Sequence, residues 1–183
     1  CGGEALLTHA VEMLANEKAH PAPRVCCKRI EDLAKAFGGQ GMVGGPMIDL
    51  TASDHMPDER AIFRLQNMTT GALISFAAEA GAVLASASKE AHASLQGYAR
   101  DIGLAFQIAD DLLDVEGNAD EIGKAVGKDE DAGKATLIGI MGVERARQQA
   151  QVLADQAIEH LAPFDAKASL LRAVAHVDKN PRT

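Results

Sequence analysis

Tryptophan is absent from this chain of 183 residues, tyrosine occurs once, and aromatics make up 3% of the whole although 47% of residues are hydrophobic. A β-sandwich draws on aromatic and β-branched side chains, so this imbalance disfavours one and favours closely packed helices. Positive charge is also in deficit: 18 Lys and Arg stand against 26 Asp and Glu, a net charge of −8. Phosphate backbones and anionic membranes are held mainly by Lys and Arg, so no general nucleic-acid or membrane surface is expected. Cysteine is scarce. Cys1, Cys26 and Cys27 form an odd set with two neighbours, which suits neither a disulfide framework nor a zinc pattern, and a reducing, cytoplasmic compartment fits. No long apolar run is free of charge. The nearest, GALISFAAEAGAVLASA over residues 71–87, carries Glu79 and many small residues, so a buried core helix is expected and a membrane span is not.

The length suits one all-α domain. Helices are expected over residues 3–17 and 24–37, separated by the prolines of HPAP, with Val25, Ile30, Leu33, Ala34 and Phe37 on the buried face of the second. A helical region from about Pro57 to Ser86 follows, then one over 89–115. Residues 116–135 are polar and glycine-punctuated and read as a loop. Two closing helices, 142–161 and 165–177, flank Pro163. The first helical rhythm begins at once, with no initiating Met and no charged leader before an apolar run, so no signal peptide is expected and the chain is expected to be part of something longer.

Within the fourth region stands FQIADDLLDVEG, residues 106–117. At about 100° per residue, Asp110, Asp114 and Asp111 fall near 0°, 40° and 100°, and Gln107 near 60° one turn earlier. Ile102, Ala105, Ile108, Ala109, Leu112 and Leu113 cluster on a separate apolar face. Carboxylates spaced this closely repel, by about 0.2–0.5 kcal/mol in water and more where partly desolvated. No Lys or Arg lies within a turn of the stripe after Arg100, so a hard divalent cation with oxygen ligands, Mg²⁺ or Mn²⁺, would suit it. The plain alternative is a solvated acidic face. An EF-hand is excluded, because Gly117 and Ala125 stand at the wrong loop positions for DVEGNADEIGKA.

Downstream, EIGKAVGKDEDAGKATLIGI offers Gly-Lys pairs at Lys124, Lys128 and Lys134, where glycine lets backbone amides approach an anion and lysine supplies charge. GKDEDAGKAT is not a phosphate-binding P-loop, since its glycine spacing is too long and Ala135 replaces the metal-binding Ser or Thr. The glycines of GGQGMVGG, Gly39, Gly41 and Gly44, follow a helical rather than a strand pattern, so they are close-packing residues and not a dinucleotide cradle. The six histidines show no paired ligand spacing.

Together, GLAFQIADDLLDV, GKAVGKDEDAGKAT and TTGALISFAAEAGAVL resemble the later part of the trans-isoprenyl diphosphate synthases, the farnesyl and geranylgeranyl diphosphate synthase family. GGEALLTHAVEML is similar to the helix after that family's first aspartate-rich motif, and GGPMIDL to its G-G-Q-x-x-D-L segment. The resemblance implies an all-α isoprenoid-synthase bundle around a central cavity, here without the N-terminal helices that carry the first motif. It implies Mg²⁺-dependent condensation of an allylic diphosphate with isopentenyl diphosphate, and a homodimer. Carried over by position, Asp110, Asp111 and Asp114 are metal ligands. Gln107, Lys124, Lys134 and Thr70 contact the diphosphate, and Asp110, Asp111 and Thr70 are the catalytic positions. The resemblance also puts Leu73, Phe76 and Ala77 towards the cavity, with plain core packing as the equal alternative. The chain departs from the family pattern at Thr69, where K-T-G has lysine, and at Pro46, where the other motif has glutamine. A non-catalytic, synthase-like partner subunit is the alternative that these departures raise.

Overall fold

The structure, a computed structural model, describes residues 2–39, 41–42, 70–122 and 137–177, and every regular element among them is helical. The first is α1, Gly2–Ala15, followed by α2, Pro23–Phe37. Proline at the start of α2 has no amide to leave unpaired, and it holds Ala22 before it in an extended conformation with φ −100° and ψ 109°. The side chains that α2 buries are Cys26, Arg29 and Leu33. This corrects the sequence-based face, since Ala34 is exposed and Val25, Ile30 and Phe37 are only half-buried. The apolar residues of α2 mark a broad sector, and the helices packed against it decide which edge is covered. Past the helix end, a Cβ on Gly41 would lie 1.9 Å from the carbonyl oxygen of Ala36, so glycine there is a packing requirement.

The next element, α3, spans Ala72–Leu84 after a π-type turn at Thr70 and Gly71. A short link leads into α4, Lys89–Ile122, about 50 Å long at 1.5 Å per residue. Ser88 caps it: its hydroxyl accepts the Ala91 amide at 3.2 Å while its carbonyl accepts the His92 amide at 3.0 Å. Of the loop expected over residues 116–135, the part up to Ile122 is helical and belongs to α4, and the rest lies outside the described residues. Gly117 is a single glycine among helix-compatible residues, and its cost of about 1 kcal/mol does not stop a helix already 28 residues long, counted from Lys89 to Glu116.

A five-residue helix absent from the sequence reading, α5, Leu137–Met141, precedes α6, Val143–His160. Gly142 joins them at φ 81°, a conformation that favours glycine. A 3₁₀ segment, Ala162–Ala168, then turns the chain into α7, Ser169–Val177.

Helix α4 is the spine. Its apolar face meets α5 and α6 in a core of Ala105, Ile108, Leu112, Ile138, Ala146 and Leu153. Burying Ile108 and Leu112 contributes on the order of 1.5–3 kcal/mol each. A second core joins Tyr98 and Ile102 to Ala157, Leu161, Ala168 and Ala175, and the Tyr98 hydroxyl donates to the Leu171 carbonyl at 2.9 Å. Leu113, expected on this face, is instead 44% exposed. It sits at the edge of the apolar sector that α6 does not reach.

Candidate metal and diphosphate site

The burial of Ile108 and Leu112 against α6 fixes the rotation of α4, and with it the direction of the acidic stripe. Asp110 and Asp114 are exposed, and Asp111 and Gln107 are half-buried on the same flank. Thr70 stands just before α3. A Cβ on Gly103 would meet the Cα of Gly71 at 3.3 Å and the Ile74 side chain at 3.6 Å, so the two backbones touch there. Gln96 donates to Glu79 at 2.8 Å nearer the other end. The pairs 71–103 and 79–96 show that α3 and α4 run antiparallel. Stepping back from Gly71 to Thr70 therefore moves along α4 from Gly103 towards Gln107. The half-buried Thr70 and the acidic stripe thus share one end of the α3–α4 pair.

Of the residues singled out in the sequence, Gln107, Asp110, Asp111, Asp114 and Thr70 lie in this region. Lys124, Lys128 and Lys134 fall outside the described residues, as do Thr69, Pro46 and Gly44. Phe76 lines a different space, between α2 and α3, and Ala77 is exposed. Two glycines that sequence reasoning passed over, Gly97 and Gly103, set close approaches to α4; their signal was two glycines six residues apart within one helix.

The donor set of the stripe is carboxylate oxygen, which suits a hard cation. No three His, Cys, Asp or Glu side chains converge into a cage among the described residues. Mg²⁺ is commonly held by one or two carboxylates and completed by water and phosphate oxygens, so the stripe fits as the protein half of a site shared with an anionic ligand.

The polyprenyl synthetase family model matches residues 2–175. The chain belongs to the polyprenyl synthetase family. It is 40% identical over 178 residues to geranylgeranyl pyrophosphate synthase 11, chloroplastic, of Arabidopsis thaliana, covering 94% of this chain and 50% of that protein. Among solved structures, an FPP/GFPP synthase from Zymomonas mobilis in its apo form aligns with a TM-score of 0.80 at 47% identity, covering 96% of this chain and 59% of that one. A geranyltransferase from Helicobacter pylori, complexed with magnesium and isoprenyl diphosphate, aligns with a TM-score of 0.72 at 27% identity, over 98% of this chain and 58% of that one. The chain spans about half the length of the curated relatives it matches. The all-helical fold expected from composition is the fold of these synthases. Among the described residues, no helix is long and apolar enough to cross a membrane.

Proposed function

We propose that this chain supplies half of the active site of a short-chain prenyltransferase of the farnesyl or geranylgeranyl type, as a single all-α domain. The reaction joins an allylic diphosphate to isopentenyl diphosphate with Mg²⁺, for which Mn²⁺ substitutes. What supports this reading is the family match over residues 2–175, together with the antiparallel run of α3 and α4, whose contact at Gly71 and Gly103 turns Thr70 towards the end of α4 that carries Asp110, Asp111 and Asp114. When bound, the divalent cation neutralises the diphosphate and makes it a leaving group. Asp110 and Asp114, one turn apart, hold the cation together with Asp111. Gln107 orients the diphosphate oxygens one turn earlier, and the Thr70 hydroxyl donates to the same group. Lys124 and Lys134 add positive charge from the segment after α4. Support comes from the H. pylori geranyltransferase, which was crystallised with magnesium and isoprenyl diphosphate. A cytoplasmic homodimer completes the proposal.

The intact protein, given Mg²⁺, labelled isopentenyl diphosphate and dimethylallyl, geranyl or farnesyl diphosphate, should form labelled prenyl diphosphate. No product with any of the three acceptors overturns the proposal.

A further inference from the structure

Arg29 is buried in α2, with 9% of its side chain exposed. Its Nη2 lies 2.5 Å from Asp32 Oδ2, whereas Nε and Nη1 are closed off from solvent and have no hydrogen-bond partner among the described residues. Buried donors left unmet are costly, and buried guanidinium groups are normally answered on several edges. Beside Arg29 lies a solvent-open pocket of about 410 Å³, lined by Lys28, Arg29, Asp32 and Lys35 of α2 and by Ser75 and Glu79 of α3. The other charges in this wall are engaged. Lys28 pairs with Asp32 and with Glu31 at 3.7 Å, Lys35 pairs with Glu31, and Glu79 accepts from Gln96 at 2.8 Å. The two unmet Arg29 nitrogens are closed off from the pocket as well as from bulk water, so an anion there reaches them only when the side chain turns.

This pocket is separate from the diphosphate region. At about 100° per residue, Ser75 and Glu79 stand roughly 140–180° round α3 from Thr70. Gln96, which touches the pocket wall through Glu79, precedes Asp110 by about 20 Å along α4 at 1.5 Å per residue.

We propose that the α2–α3 pocket binds a small oxyanion, phosphate or carboxylate, through Arg29, with Lys28 and Lys35 at its rim. A planar guanidinium matches either group with two parallel hydrogen bonds. An anion in the pocket turns Arg29 away from Asp32 and engages the donors that are otherwise unmet.

The test titrates the chain in Mg²⁺-free buffer with inorganic phosphate and, separately, with acetate, read by calorimetry. The wild-type chain should saturate with at least one, and the tighter of the two names the class. Arg29→Met should weaken that binding about tenfold or more, and Asp110→Ala should bind like wild type, which separates this site from the acidic stripe. Arg29→Met keeps the bulk but leaves Asp32 to Lys28 alone, so each protein is compared with its own anion-free thermal midpoint, and only the wild-type midpoint should rise with anion. Failure of both anions to saturate, equal binding by Arg29→Met, or loss of binding in Asp110→Ala overturns the proposal.

Discussion

Nε2 of His160, the last residue of α6, lies 3.0 Å from Oδ2 of Asp101 in the middle of α4. The Asp101 carboxylate is 8% exposed, and its other oxygen accepts from Arg100 Nε at 2.9 Å. The hydrogen bond from Arg100 to this carboxylate, followed by the charge attraction, holds the Arg100 pKa above its ordinary value. This clasp and the Ile108 core together fix the rotation of α4 against α6, and so the direction in which Asp110 and Asp114 point.

The clasp depends on Gly97. A Cβ there would lie 2.6 Å from the His160 ring, so Gly97→Ala should push the ring off Asp101 and cost about 1–3 kcal/mol, less the helix-propensity gain of about 1 kcal/mol. In a His160→Ala background the same change should become neutral or stabilising, because the obstacle is gone. Chemical denaturation of the four proteins in this cycle measures the coupling; additive effects would show that the ring does not seat on Gly97.

Gly103→Ala separates position from stability. Its Cβ presses on the Gly71 backbone, so α3 must shift by a few tenths of an ångström at the end that carries Thr70. The net stability cost should stay below about 2 kcal/mol while Mg²⁺-dependent diphosphate binding weakens. Unchanged diphosphate affinity would mean that Thr70 is not part of the site.

Ser88→Ala removes the cap of α4 and should cost about 1 kcal/mol by thermal or chemical unfolding. Glu90, in the first turn, has its pKa lowered by its own backbone amide and then by the Ser88 hydroxyl. A depressed folded-state pKa contributes stability above the unfolded value that is lost as pH falls through the folded one. Ser88→Ala should therefore move the Glu90 pKa upward, which an NMR titration of its carboxyl carbon checks.

Much of this was legible in the chain itself. The wedge of Asp110, Asp111, Asp114 and Gln107 and the opposed face of Ile108 and Leu112 follow from helical periodicity alone, because alternation at about 100° per residue survives folding intact. Periodicity does not say where the covering helix stops, which is why Leu113 is exposed and why Arg29 and Cys26 are buried on α2 where Ala34 was expected. Gly117 reads as a break in isolation, yet α4 passes through it, since tertiary packing upstream had already nucleated the helix. The Asp101–His160 clasp joins residues 59 apart in sequence, beyond the reach of any local pattern.

The central claim is that the acidic stripe of α4 exists to hold a divalent cation and, through it, a diphosphate. Calorimetric titration of wild type and Asp110→Ala with inorganic diphosphate, with Mg²⁺ and again with EDTA, tests it directly. Wild type should bind only when Mg²⁺ is present, and Asp110→Ala should lose about tenfold or more in affinity. Binding that is equal in EDTA, or unchanged in Asp110→Ala, would contradict it.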